Sequence, residues 1–272
     1  MSGKLYVVGT PIGNLGDLSP RAVEALNNAN FIAAEDTRVT LKLLNHFGIK
    51  KEMISYFEHN KNERGEIIVN RILNGENCVI CTDAGMPAIS DPGEDLVRQC
   101  LDSGITVESV PGPTAFATAL AISGMPSRRF TFEGFLSADK KERREYLDFL
   151  KNEKRTMIFY EAPHKLVITL NDMYAFFGNR NIALVREITK IHEQVIRTTL
   201  SKAVTMYTDD KPKGEFVVIV EGAKDEEEEI SFEKAVDMAK ALIDDGMSIS
   251  SSAKEIAKIT PYKKGDIYKA LL

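Results

Sequence analysis

The run Val79-Ile-Cys-Thr-Asp-Ala-Gly-Met-Pro-Ala-Ile-Ser-Asp-Pro-Gly93 decides how this chain is read. Two β-branched apolar residues, Val79 and Ile80, give way to a loop holding Gly85, Gly93, Pro87, Pro92, Asp83 and Asp91, and helical spacing resumes at Asp95. The pattern predicts a strand that opens into a pocket. Glycines let the backbone approach a ligand closely, and prolines stiffen the wall around it. The loop reads as the floor of a small-molecule site, with an ordinary strand-to-helix connection as the alternative until other segments point to the same ligand.

Upstream, Leu5 to Val8 is a buried-strand run followed by Gly9-Thr-Pro-Ile-Gly13-Asn-Leu-Gly16-Asp and a helix from Ser19 to about Asn27, with Ser19 as cap and Pro20 in the first turn. Phe31 to Ala34 is a second strand ending in Glu35-Asp36-Thr37-Arg38, and Val39 to Phe47 has helical spacing closed by Gly48. A helix from Glu63 to Asn74, the central strand and loop, a helix from Glu94 to Ser103 and a strand from Thr106 to Val110 continue the alternation. This is an α/β pattern built on a mainly parallel sheet.

Pro111-Gly-Pro113 marks a domain boundary, so residues 1–113 form an N-terminal α/β domain. Residues 114–224 read as a second, mixed α/β domain. It has helices at Thr114–Ser123, Lys140–Lys151 and Leu166–Phe177, and strands at Phe130–Phe135, Arg155–Tyr160, Ile182–Arg186, Gln194–Thr199 and Phe216–Val220. The acidic run Asp225 to Glu229 reads as a solvated linker. Helices at Phe232–Ile243, Ser250–Lys258 and Pro261–Leu272 then give residues 230–272 the look of a helix-turn-helix-like tail.

At 272 residues the chain can bury a substantial core, and its net charge of −5 argues against a wholly basic nucleic-acid binder while leaving room for a local basic patch. With no long apolar run and no signal-like start, the chain is expected in the cytoplasm, away from membranes. Cys78 and Cys81 have a Cys-x-x-Cys spacing, but residues three apart on a strand point to opposite faces. Cys78, Cys81 and Cys100 are therefore expected as buried small side chains, and no metal is expected. Gly9 to Gly16 does not fit the dinucleotide pattern G-x-G-x-x-G, and no phosphate-binding loop of the Gly-x-x-x-x-Gly-Lys type is present.

Taken together, Val8-Gly-Thr-Pro-Ile-Gly-Asn-Leu-Gly-Asp, Ala34-Glu-Asp-Thr-Arg, Thr82-Asp-Ala-Gly-Met-Pro-Ala-Ile-Ser-Asp-Pro-Gly, Val110-Pro-Gly-Pro-Thr-Ala and Phe159-Tyr-Glu-Ala-Pro-His-Lys resemble the tetrapyrrole-methylase-like superfamily of methyltransferases. The likeness runs from Leu5 to the tail and is strongest to the branch that acts on 16S rRNA. It implies a two-domain α/β homodimer with a small helical C-terminal unit, S-adenosylmethionine folded into the cleft between domains, and 2'-O-methylation of cytidine 1402 in the small ribosomal subunit. By motif position the donor's neighbours would be Ile12, Ala84, Gly85, Met86, Ile89, Thr114, Ala115, Glu161 and Ile188. The chain departs from the branch pattern at Ser137, where proline is usual, and at Asp139, where lysine is usual. Methylation of a corrin or porphyrin carbon, as in other branches, is the rival enzymatic reading. A nucleic-acid-binding regulator that uses the tail is a third, although seven lysines against six acidic residues from Ser231 onward make a balanced surface.

A ribose hydroxyl needs a group that accepts its proton. Glu35 and Asp36, at a strand's carboxyl end where ligand clefts of such sheets lie, are the first candidates, and Glu187 is the next. His59 and His164 are further ones, and Arg38 reads either as a phosphate clamp or as part of a structural ion-pair network. Arg186 is a second phosphate contact. For RNA, Arg128-Arg129 and the helix carrying Lys140, Lys141, Arg143 and Arg144 make the best basic patch. Its Lys140, Arg144 and Lys151 lie on one face opposite Leu147 and Leu150, and the alternative is a solvated helix face. Phe130, Phe132 and Tyr160 are available to stack a splayed cytosine.

Overall fold

In the computed structural model, which describes residues 2–209, 212–224 and 230–272, the central stretch begins as a buried strand inside a parallel sheet. The strands are β1 (Lys4–Val8), β2 (Phe31–Ala34), β3 (Glu52–Ser55), β4 (Cys78–Cys81) and β5 (Thr106–Val110), ordered β3-β2-β4-β1-β5 with every neighbouring pair parallel. β2 and β4 are buried along their whole length, because helices cover both faces. Leu18, Ala22, Leu26 and Leu44, from helix α1 (Pro20–Asn28), helix α2 (Thr37–His46) and the turn before α1, pack on one face. Ile68, Ile72, Leu96 and Cys100 of α3 (Lys61–Leu73) and α4 (Glu94–Asp102) pack on the other. Cys78 lies in the second layer and Cys81 in the first, so the two thiols do face apart, and all three cysteines are buried and free.

The second sheet contains β6 (Phe130–Phe135), β7 (Thr156–Glu161), β8 (Asn181–Arg186), β9 (Gln194–Thr199) and β10 (Phe216–Val220), ordered β6-β7-β10-β8-β9. Only the β6–β7 pair is parallel. α5 (Ala115–Ser123) covers one face through Ala119 and Leu120. α6 (Lys140–Leu150), α7 (Pro163–Phe177) and α8 (Leu200–Asp209) cover the other through Leu147, Leu166, Leu170, Met173 and Ala203.

Several elements differ from the expectation. β3 is a four-residue edge strand, too short to show a period, and α8 follows β9 with no turn residue between Thr199 and Leu200. α7 starts at Pro163, so His164 sits in a first helical turn rather than in a loop. Asp139, one of the two departures from the branch pattern, caps α6 by accepting from the backbone N–H groups of Lys141 and Glu142, at 2.8 and 3.0 Å. Ser137 joins it, accepting from the Asp139 N–H and donating to Glu142.

By packing, the chain divides into a body through Ala223 and a tail from Lys224. The tail comprises α9 (Phe232–Asp244), α10 (Ile249–Ile259) and α11 (Lys264–Ala270), which close on a small core of Ala235, Ala239, Ala253, Ile256 and Ile267. The acidic stretch read as a linker, 225–229, lies outside the described residues. Among the described residues no helix is long and apolar enough to cross a membrane.

Candidate functional site

The order of the first sheet creates the site. β1 and β4 are neighbours, but the chain leaves β1 for α1 on one face and β4 for α4 on the other, so their carboxyl-end loops diverge around a crevice. The two loops are stitched by the Thr10 N–H donating to Gly85 O at 2.8 Å, the Gly85 N–H donating to Thr10 O at 3.1 Å, and the Thr10 hydroxyl donating to Thr82 O at 3.1 Å. A third loop, leaving β5, crosses so close that a Cβ on Gly9 would stand 2.6 Å from the Gly112 Cα. No larger residue fits at that crossing.

Among the described residues, four non-glycine residues have positive φ: Ala88 (68°), Ser90 (60°), Glu187 (53°) and Thr189 (64°). They fall on two loops only, one after β4 and one after β8, and each pair flanks an isoleucine, Ile89 or Ile188. Left-handed backbone at such residues costs roughly 1–3 kcal/mol each and persists where the surroundings impose it. Both loops turn their isoleucine toward the same cavity.

That cavity, about 240 Å³, is lined by Ile12, Ala84, Gly85, Met86, Ile89, Thr114, Ala115, Glu161 and Ile188, every residue expected beside a methyl donor. Glu35 and Glu187, two of the expected catalytic carboxylates, also line it, together with Asp83, Asp91, Glu215, Phe135, Tyr160 and Lys190. Asp36, the remaining carboxylate, is absent from the wall. It caps α2, accepting from the Arg38 N–H at 2.8 Å, and its side chain is gripped by the Arg38 guanidinium at 2.6 Å, which holds its pKa down at about 2. A carboxylate so stabilised is a weak base, and Arg38 is correspondingly engaged. His59 and His164 are exposed outside the cavity lining.

The lining carboxylates differ in their partners. Glu161 is buried, accepting from Thr169 Oγ1 and from the Ala162 N–H. Glu187 is paired with Lys190 at 3.0 Å. Glu35 accepts from the Asp83 N–H at 3.3 Å, and burial pushes its pKa up against that bond. Asp83 accepts from the Asp36 N–H at 3.2 Å and is likewise pushed up by burial. Asp91 has no hydrogen-bond or ion-pair partner among the described residues. Burial, then the negative charges of Glu35, Asp83 and Glu215, raise it to about 7.

Asp91 stands inside the stretch that opened the sequence reading, yet it was not singled out there as a lining carboxylate. A proline-glycine neighbourhood suggested only loop shape. Phe135 was missed for a different reason. A bulge between Phe132 and Gly134, with Gly134 at φ 63°, breaks the alternation of β6, and Phe135 is left 60% exposed against the Tyr160 ring at 5.4 Å. Of the aromatics expected to stack a base, Phe132 is packed on Phe116 at 4.6 Å, Phe130 lies at the edge of that cluster, and Tyr160 accepts from the Phe116 N–H through its hydroxyl.

The basic residues are less uniform than their spacing. Arg143 is buried, with its guanidinium 2.8 Å from Asp172 and donating to the Ser137 and Ala138 carbonyls, so its expected place on an RNA-facing surface is corrected to a structural one. Burial of Leu147 and Leu150 turns the same face of α6 inward. Arg144 is half exposed and shares Asp172 at 3.1 Å, Lys141 stands 3.9 Å from Glu145, and Lys140 is exposed with no ion-pair partner among the described residues. Arg128 and Arg129 are exposed, and Arg186 donates to Gln194.

The architecture and motifs have counterparts. The profile described as Tetrapyrrole (Corrin/Porphyrin) Methylases matches residues 4–204. Proteins called Ribosomal RNA small subunit methyltransferase I are similar over nearly the whole chain. The one from Synechocystis sp. is 44% identical over 99% of this chain and 98% of its own, that from Xylella fastidiosa (strain Temecula1) 46% over 98% of each, and that from Escherichia coli O157:H7 41% over 99% and 95%. Among solved structures, the methyltransferase CobJ superposes with a TM-score of 0.62 at 19% identity, covering 82% of this chain and 95% of CobJ. The uroporphyrin-III C-methyltransferase of Thermus thermophilus complexed with S-adenosylhomocysteine gives 0.55 at 18% identity, covering 80% and 97%. These neighbours share the fold. The chain belongs to the tetrapyrrole (corrin/porphyrin) methylase family, on the branch of the ribosomal RNA small subunit methyltransferases I.

Proposed function

We propose that the protein uses S-adenosylmethionine to methylate the ribose 2'-oxygen of cytidine 1402 in the 16S rRNA of the small ribosomal subunit. The observation that carries this reading is the cavity itself: the residues expected around the donor come from the carboxyl end of β7 and from the segments that follow β1, β4, β5 and β8, and they line one space. The wall suits that donor chemically. It joins small residues at Ala84, Gly85, Thr114 and Ala115, where the backbone can be approached, to apolar side chains from Ile12, Met86, Ile89 and Ile188, and Glu35, Asp83, Asp91 and Glu215 present negative charge to a cationic sulfonium and ammonium, with Lys190 already paired to Glu187. When bound, S-adenosylmethionine supplies an electrophilic methyl group on that sulfonium.

The chain's own contribution is largely positioning. The stitched loops around Thr10, Gly85 and Gly112 hold the binding surface rigid, and rigid placement of reacting atoms accounts for a large part of the acceleration of a displacement. Phe135, exposed at the rim over Tyr160, offers a ring face to a nucleobase. Lys140, Lys141, Arg144, Arg38 and Arg186 are assigned to the RNA side of the surface, where partial pairing leaves them able to reach phosphates. The two sheets act as the two domains, 1–113 and 114–224, with 230–272 as an accessory, and the working form is a cytoplasmic homodimer. The test is transfer of labelled methyl from S-adenosylmethionine to purified small subunits, naked 16S rRNA and a tetrapyrrole, followed by nuclease mapping. Label on the ribose of cytidine 1402 is the expected result, and label on the tetrapyrrole alone would replace the substrate while keeping the donor.

A further inference from the structure

Seven lysines against six acidic residues make the tail balanced from Ser231 onward, yet the two kinds of charge are not mixed along it. From Ser231 to Ser248, a stretch that is mostly α9, two lysines are outnumbered by four carboxylates. From Ile249 onward, through α10, the turn after it and α11, five lysines are set against only Glu255 and Asp266. Two segments of one small module therefore carry opposite net charge.

The fold turns this segregation into a ridge. Ala253 and Ile256 of α10 are buried in the tail's core with Ile267 of α11, which fixes the side of α10 that faces outward. Ser250, Lys254 and Lys258 follow one another at four-residue intervals on that outer side, and all three are exposed. This row runs about 12 Å along the helix. The Lys264 ammonium, from the first turn of α11, donates to Ser250 Oγ at 3.0 Å and extends the row at its beginning. Lys254 has no ion-pair partner among the described residues. Lys258 pairs with Glu255 at 2.7 Å, but both side chains are about half exposed, and water and salt weaken such a contact.

The residue types select the partner. Residues 231–272 contain no Arg, Asn, Gln or His, so the module lacks the side chains that read base edges through paired hydrogen bonds. Lysine ammonium groups are compact point charges that suit phosphate oxygens and demand no particular base. α11, with seven residues, spans only about two turns, which is short for a helix that reads a groove. The tail also lies apart from the shared chemistry: the family profile ends at residue 204, and among the described residues the donor cavity is lined wholly by residues that precede the tail. We propose that the ridge of Lys254, Lys258 and Lys264 binds the phosphate backbone of the RNA substrate without regard to its sequence, and holds the substrate to the enzyme without taking part in methyl transfer; this rests on the RNA-substrate part of the reading given above.

The experiment uses the full chain and compares wild type with the triple variant Lys254→Gln, Lys258→Gln, Lys264→Gln, with the same three lysines changed to Arg, and with Lys240→Gln on α9. Binding to purified small subunits and to protein-free 16S rRNA is titrated against salt, and single-turnover transfer is measured at saturating subunit and donor. The Gln triple variant should bind both RNAs about tenfold or more weakly, with a salt slope smaller by about two to three, while the rate at saturation and the donor affinity stay at wild-type values. The Arg triple variant, which keeps the charge, and Lys240→Gln, which lies outside the ridge, should both keep the wild-type slope. Unchanged affinity and slope in the Gln triple variant would overturn the proposal, as would an equal loss of slope in the Arg triple variant or a fall in the rate at saturation. A loss confined to subunits, with protein-free rRNA bound as by wild type, would also overturn it and make a ribosomal protein the partner. Failure of the methyl-transfer reading looks different: wild type would then place no label on the subunit, while its binding to rRNA and the effect of the Gln triple variant on that binding would still be read.

Discussion

In the cleft, Asp91 and Glu215 have no ion-pair partner among the described residues, whereas along α6 Arg143 and Arg144 close on Asp172, Lys141 faces Glu145, and at the helix end Lys151 faces Asp148. Both regions are dense in charge. Their difference lies in which charges the fold has already used, and that follows from neighbours distant in sequence. Asp172 comes from α7, and it converts the most central arginine of a basic helix into part of the core. In the cleft the one lining cation among the described residues, Lys190, is already paired with Glu187, so the charge of the remaining carboxylates stays directed at whatever enters. Spacing along a helix therefore identifies a charged face less reliably than a count of partners does.

The sharpest way to break the comparison is at Arg143. Replacing it with Met leaves the Asp172 carboxylate with Arg144 alone, and stability should fall by about 3 kcal/mol while the salt dependence of subunit binding is unchanged. Urea unfolding and a salt titration check this, and an unchanged midpoint with a shallower salt slope would return Arg143 to the RNA surface. Next, Gly9→Ala forces a Cβ against the Gly112 backbone, and overpacking of about 2 kcal/mol should weaken donor affinity by more than tenfold, read by calorimetry.

The pH dependence of folding sharpens the acidic side. Asp91 has a folded pKa raised above its unfolded value, so its contribution to stability is fully present below the unfolded pKa, near 3.9, and is lost as pH rises through about 7. Asp91→Asn should therefore be more stable than wild type at pH 8, by about 1–2 kcal/mol after solvent screening, with the gap closing toward pH 4 in thermal melts of the donor-free protein. The smallest effect belongs to Lys140→Gln. It should leave stability alone, weaken subunit binding by under about 1 kcal/mol, and reduce the salt slope by about one. A larger loss there than for any cleft variant would shift the centre of RNA recognition to α6.

How much was legible in advance depends on range. The parallel sheet, the loops after β1 and β4, and the capping of α1 by Ser19 were readable because short apolar runs bounded by Gly and Pro carry local instructions. The residues expected beside a donor were reached through the family motifs, and they line one cavity. β3 and α8 were not readable, one being too short for a period and the other lacking a boundary signal. The bulge that exposes Phe135 depends on how β6 pairs with β7, which lies twenty-odd residues further along the chain.

The sequence by itself determined the class of fold, the stiff glycine and proline loops, the opposed faces of Cys78 and Cys81, and the family, because each rests on near-neighbour sterics or on contiguous motifs. Only the tertiary structure decided the chemistry of individual charges. It buried Arg143 against Asp172, tied Asp36 to Arg38 through a helix cap, and left Asp91 facing Glu35, Asp83 and Glu215 with no hydrogen-bond or ion-pair partner among the described residues. The reason is physical: whether a side chain is a base, a clamp or a structural brace depends on local dielectric and on the partners around it, and in a parallel α/β sheet those partners are delivered by strands far apart in the chain.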